Sequence, residues 1–158
     1  MTLTDSEFVV TRALLALALF LAPTVQAQSA VGLRFGTDFD SNGRDLMRST
    51  VGAFVTRSVG AHWQVSGSVS LYPSVNDGAF WASADLRYRP PLVSSLLYVA
   101  TGVTEADHGA AKNKTGADLA LGLDPRIGGV FRPFAEGKWV MYRWYTSFTV
   151  QGGLAVGL

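Results

Sequence analysis

The sequence predicts an all-β protein: an eight-stranded antiparallel up-and-down transmembrane β-barrel. Three observations carry that expectation. Runs of about ten residues alternate apolar with polar or small side chains, the period of a β-strand with two unlike faces. Clusters of Gly, Pro, Asn and Asp separate the runs. Charged residues make up 16% of the 158 residues, against roughly 25% in ordinary soluble domains. The chain has no cysteine, which excludes disulfides and thiolate chemistry. A net charge of +1, with both signs interspersed, leaves no basic patch for nucleic acid.

The runs begin after a leader. "RALLALALFLAPTVQAQS", from Arg12 to Ser29, has a basic residue, an apolar stretch from Ala13 to Ala22, Pro23, and a small-residue site ending at Ala27. That order is a secretory signal peptide. The apolar stretch is about half of the ~20 residues a spanning helix needs. Residues 1–27 are therefore expected to be the leader and 28–158 the barrel. Asp5 and Glu7 fall where a signal peptide carries positive charge, so the true translation start is expected at Val10.

The first run, Ala30 to Phe39, sets Val31, Leu33, Phe35, Thr37 and Phe39 against Gly32, Arg34, Gly36 and Asp38, and "DSNGRD" closes it. The second, Leu46 to Ser58, sets Val51, Ala53 and Val55 against Arg48, Thr50 and Gly52. After "VGAH", the third runs from Trp63 to Val75, with Val65, Val69 and Leu71 against Gln64, Ser66, Ser68, Ser70 and Tyr72. The turn "VNDG" leads to the fourth, Ala79 to Arg89, with Phe80, Leu86 and Tyr88 against Trp81, Ser83, Asp85, Arg87 and Arg89. Pro90-Pro91 ends it. The fifth, about Ser95 to Thr104, is apolar on both faces, so its register stays open. "EADHGAAKNK" is the longest polar connection. The sixth, Thr115 to Leu123, sets Leu119, Leu121 and Leu123 against Gly116, Asp118 and Gly122. After "DPRIGG", the seventh, Phe131 to Tyr142, sets Arg132, Glu136 and Lys138 against Ala135, Trp139 and Met141. The eighth, Tyr145 to Leu158, sets Phe148, Val150, Leu154 and Val156 against Thr149, Gln151, Gly153 and Gly157.

Alternation does not say which face is inside. A secreted, lipocalin-like barrel would turn its apolar face inward around an apolar ligand. A membrane barrel turns it outward, against lipid. Strand length, low charge and the placement of aromatic rings favour lipid. Trp63 and Tyr88 fall at one set of strand ends; Tyr72, Phe80, Trp139, Tyr142, Trp144 and Tyr145 fall near the other, as two interfacial belts would require. Arg34, Arg48, Asp85, Arg87, Asp118, Arg132, Glu136 and Lys138 would then form a charge network in a lumen that eight strands leave too narrow for a wide pore.

These runs resemble the small eight-stranded bacterial outer-membrane barrels, the OmpA-like transmembrane domain and the opacity-type surface proteins, over nearly all of 28–158. "RPFAEGKW", Arg132 to Trp139, is similar to the penultimate strand of such domains. Gln151, Gly153, Val156 and Leu158 are similar to the C-terminal signal read by the barrel-assembly machinery, with Leu158 where the family usually carries Phe. The resemblance implies an outer-membrane location, both termini in the periplasm, lipid and the assembly machinery as partners, and outer loops at 40–45, 73–78, 105–114 and 142–144. It implies a structural or surface-interaction role, with the surface partner unspecified. A narrow conduit and a lipid-modifying barrel enzyme are the alternatives. The only histidines are His62 and His108. Neither stands in a recognisable Ser/His arrangement, so no catalytic, cofactor or metal residues are expected; Glu105, Asp107 and His108 are a remote metal candidate.

Overall fold

A computed structural model describes residues 29–40, 48–73, 79–93, 96–107, 114–125 and 130–158. The proposed leader, Val10, His108 and most of the "DSNGRD", "VNDG" and "DPRIGG" turns lie outside the described residues. The elements are β1 (Ser29–Asp40), β2 (Arg48–Ser58), β3 (Trp63–Leu71), β4 (Phe80–Tyr88), β5 (Leu97–Asp107), β6 (Lys114–Leu123), β7 (Phe131–Met141) and β8 (Thr146–Gly157). Each strand pairs antiparallel with the next, and β8 pairs back onto β1, so the sheet is a closed barrel. Closure gives every strand two neighbours and removes exposed edges.

The register fixes the barrel's dimensions. A path across the strands from Ala30 passes Thr56, Ser66, Asp85, Gly102, Asp118, Val140 and Ser147 and returns to β1 at Asp40. The path closes ten residues along the strand from where it began. With strands ~4.8 Å apart and a rise of ~3.3 Å per residue, that shear tilts the strands by about 41° and sets a backbone radius of about 8 Å. A strand of ten residues then spans about 25 Å along the barrel axis.

One rim, here the near rim, carries Ser29 and Gly157 and the turns after Ser58, Tyr88 and Leu123. The opposite, far rim carries the other hairpin ends. The tightest described far turn joins β7 to β8, where Tyr142 N–H donates to Tyr145 O at 2.9 Å.

Two strand limits differ from the sequence reading by three residues or more. β3 stops at Leu71 rather than Val75. Tyr72 donates its N–H to Ala79 O at 3.1 Å, and Pro73 has no N–H to continue the ladder. β5 continues past Thr104 to Asp107, because Phe80 pairs with Asp107 on one side and Lys114 with Ala106 on the other. Glu105 and Asp107 therefore sit on a strand. The open register of the fifth run is also resolved. Tyr98, Ala100, Thr104 and Ala106 are buried, while Val99 and Val103 face outward.

The faces are inverted relative to a soluble barrel. Leu33 and Phe35 are 58% and 59% exposed, and Leu71, Val103, Leu119, Leu121, Met141 and Val150 are exposed as well. The polar face is buried, including Arg34, Asp85, Arg87, Asp118, Glu136 and Lys138. Three buried apolar clusters lie inside: Ala30, Phe54 and Ala155 with Phe134 near one end, Tyr98 with Ala100 and Ala120, and Tyr72, Ala79, Trp81 and Ala106 with Tyr142 at the far end.

Inward glycines make room for the large residues between them. A Cβ on Gly32 would sit 2.6 Å from the Phe54 ring, and one on Gly153 would sit 2.7 Å from Phe134. A Cβ on Gly122 would strike the Tyr98 ring. Gly67 faces outward, and a Cβ there meets nothing closer than Val55 Cγ1 at 3.9 Å. Gly122→Val should therefore destabilise the refolded barrel by about 1–3 kcal/mol in urea titrations. Gly67→Ala should change stability by less than about 0.5 kcal/mol. Equal costs at the two positions would contradict this packing.

Candidate functional site in the charged lumen

The densest chemistry lies in the lumen. Strand alternation puts Lys138 of β7 and Asp85 of β4 on the inward face, and the small radius lets them meet across it. Lys138 is 0% exposed. Its Nζ lies 2.7 Å from Asp85 Oδ1, 3.3 Å from Asp118 Oδ2 and 3.0 Å from Ser83 Oγ. An ammonium has three N–H donors, and these three acceptors match them. Thr104 Oγ1 donates to the same Asp118 oxygen at 2.6 Å. Ser68 and Ser83 hydroxyls share a 2.7 Å hydrogen bond beside the group.

A second group centres on Glu136. Tyr98 O–H donates to Glu136 Oε2 at 2.5 Å, Arg87 Nη2 approaches the same oxygen at 3.5 Å, and Gln151 Nε2 donates to Oε1. The Arg87 guanidinium also lies 4.6 Å from the Tyr98 ring centroid, a cation–π arrangement. Toward the near rim, Arg89 pairs with Asp124 and donates from Nε to Gln64 Oε1 at 3.2 Å. At the far end, Asp38 accepts from Tyr72 O–H at 2.9 Å, Thr149 Oγ1 at 3.1 Å and the Ser147 hydroxyl.

The eight charges singled out in the sequence thus divide. Asp85, Asp118 and Lys138 meet in one group, and Arg87 and Glu136 in another. Arg34 is buried but held differently from the carboxylate partnership expected for lumen arginines. Its Nε donates to Ser70 Oγ at 2.9 Å, and its guanidinium lies 4.3 Å from the Trp81 ring centroid. Asp85 instead takes Lys138, whose ammonium reaches it directly. Arg48 is at the far end, opposite Asp38 in the β1–β2 register. Arg132 is partly exposed near the other end, beside Gly157.

The aromatic belts also divide. Trp63 and Tyr88 are cross-strand partners at the near rim with centroids 4.8 Å apart. Phe80 is half-buried, Trp139 is exposed and packs on Phe148 at 4.6 Å, and Trp144 is 80% exposed. Tyr72, expected in the far belt, is instead inside the barrel. It occupies an inward phase next to Asp38, whose carboxylate accepts a hydrogen bond from its hydroxyl. Tyr142 packs against the same buried far cluster and stacks on Tyr145 at 4.6 Å, with Lys114 Nζ 4.6 Å from the Tyr145 ring.

The C-terminal residues have defined places too. Gln151 is inward on Glu136, Gly153 is inward beneath Phe134, Val156 pairs with Val31 and Phe131, and Leu158 N–H donates to Ser29 O at 2.8 Å. Glu105 and Asp107 lie on β5, and among the described residues no cluster of three His, Cys, Asp or Glu could hold a metal ion. Sequence reasoning missed Tyr98, because both faces of its run are apolar. The missing information was the register: Gly102 pairs with Asp85 on β4 and with Asp118 on β6, which puts Tyr98, Ala100 and Thr104 on the inward face.

This arrangement is suited to holding charge fixed. Removing Lys138 would leave two carboxylates buried without their cation. Lys138→Met should cost about 3–5 kcal/mol in equilibrium unfolding. Adding Asp85→Asn and Asp118→Asn should recover much of that loss, since a neutral replacement of a buried ionic group is often tolerated. A single-variant cost below about 1 kcal/mol would remove Lys138 from the centre of the network.

No protein-family model matches the sequence, and no curated protein matches it. Solved structures do match the fold. The N-terminal β-barrel domain of Pseudomonas aeruginosa OprF aligns with a TM-score of 0.64 at 14% identity, over 84% of this chain and 100% of that one. Neisserial surface protein A aligns with a TM-score of 0.56 at 12% identity, over 82% and 96%. Ail, the attachment invasion locus protein of Yersinia pestis, solved with the heparin analogue sucrose octasulfate, aligns with a TM-score of 0.53 at 14% identity, over 84% and 97%. The chain has the closed eight-stranded barrel fold of these outer-membrane proteins.

Proposed function

We propose that the protein is an integral barrel of the bacterial outer membrane with a structural or surface-interaction role and a lumen plugged by its own side chains. The observation that carries this reading is the polarity of the two faces. Among described outward-facing strand positions, charge occurs at Arg57 by the near rim and at Glu105 and Asp107 by the far rim, and the band between carries no charge and is mostly apolar. That band, about 25 Å tall, matches the apolar belt of a membrane barrel. A lipocalin-like carrier needs the reverse, an apolar interior open to a ligand, and here the interior is filled with paired charges and aromatic plugs.

In this reading the near rim, with both strand termini, faces the periplasm. Residues 1–27 direct export, and Gln151, Gly153, Val156 and Leu158 address the chain to the assembly machinery. Trp63 and Tyr88 meet one headgroup layer; Phe80, Trp139 and Trp144 meet the other. The protein acts without catalysis. Its surface role resides at the far rim, where Trp144 projects beside Arg143, whose guanidinium lies 4.6 Å from its ring.

Folding into detergent should give heat-modifiable migration on gels, and the chain should need detergent or lipid to stay soluble. Migration unchanged by heating, together with solubility in buffer alone, would overturn the reading. Leu119 lies at the middle of β6 and faces outward. Leu119→Arg should cost about 2–4 kcal/mol in lipid, and Leu123→Arg, at the strand end, about 0–1 kcal/mol. Planar bilayers containing the folded protein should show no wide, steady conductance. A persistent porin-like current would rule out the plugged lumen.

A further inference from the structure

The near mouth of the lumen has a feature that a plugged scaffold does not require. A cavity of about 10 Å³ opens there, room for one particle of water or small-ion size. Arg87 and Arg132 line it, with Thr56 and Gln64 as further polar wall and the edge-to-face rings of Phe54 and Phe134, 4.9 Å apart, as apolar wall.

Among the described residues, the charges around this mouth do not balance. Arg89 is matched by Asp124, and Arg87 by Glu136. Arg132 is the third guanidinium, and it takes part in none of these pairs. Glu136 is already shared among Arg87, Tyr98 and Gln151. Arg87 itself is only 5% exposed, and among the described residues its Nε–H has no acceptor. A buried N–H of a charged group without an acceptor is costly. Asp124 also lines the cavity; its Oδ2 is engaged by Arg89 and its Oδ1 is buried without a hydrogen-bond donor among the described residues, yet two guanidinium groups against one carboxylate leave the described wall net positive.

We infer that this mouth is a binding site for a single small anion of halide size, held between Arg87 and Arg132. The size of the cavity selects a monatomic ion over phosphate or sulfate. Two guanidinium groups on the wall disfavour a metal cation. Phe54 and Phe134 limit hydration on one side, which strengthens the attraction of the cations for the ion. The site is a property of the folded barrel, whichever solvent surrounds its outer face.

The test uses the full folded barrel in neutral detergent. Crystals grown in sodium bromide are examined for anomalous scattering at the mouth, and unfolding temperatures are compared in chloride, bromide, sulfate and gluconate at one ionic strength. Bromide density between the two guanidinium groups is expected, with unfolding midpoints a few degrees higher in halide than in gluconate. Arg132→Gln, at a partly exposed position, should fold and lose the halide response. Lys114→Gln, which removes a positive charge at the far rim, should keep it. Density for water alone, with no anomalous signal and equal midpoints in halide and gluconate, would overturn the site; sulfate serves as the reference for general salt stabilisation. An equal halide response in Arg132→Gln and the parent protein would overturn it as well.

Discussion

Eight strands closed with a ten-residue shear leave an interior about as wide as two facing layers of side chains. The rest of the molecule answers to that width. A Lys on β7 can touch an Asp on β4, although they are 53 residues apart, because the barrel is narrow enough for a lysine stem to bridge it. The same width forbids a large residue opposite another large one. Tyr98 therefore needs Gly122, Phe54 needs Gly32, and Phe134 needs Gly153. Small and large side chains alternate around the lumen as the taper of a small barrel demands.

Within that space, the charged groups are buried and are neutralised locally. Lys138 is saturated by Ser83, Asp85 and Asp118; Glu136 by Arg87, Tyr98 and Gln151; and Asp38 by three hydroxyls. Buried ionic groups of this kind are weak evidence for stability, since desolvation can offset their attraction. Their geometric demand is strong. A one-residue slip of any strand would turn its inward charges out and its apolar face in. The network and the outer apolar band therefore specify the same register from opposite sides of the sheet.

The aromatic residues show how a local pattern and a tertiary position can part. Trp63 and Tyr88 are neighbours across a ladder at the end of their strands, which places them together on the outer face. Tyr72 is equally near a strand end, but it follows Ser66, Ser68 and Ser70 in phase and points inward to Asp38. Its phase was readable and its partner was not. Arg34 was likewise readable as inward. It rests on Ser70 and Trp81, and among the described residues it makes no ion pair, while Asp85 pairs with Lys138.

The period of two in the sequence determined the strands, their order and, for seven of the eight runs, which residues share a face, because side-chain direction along a strand is a local property of the backbone. It also determined the chemical contrast between the faces. The fifth run escaped because both of its faces are apolar, and its register came from β4 and β6 pairing on either side. Only the tertiary structure decided the shear, and with it every partnership across the lumen. Those contacts join residues from strands distant in sequence, and their distances follow from how far the sheet slips before it closes, a quantity that no single strand contains.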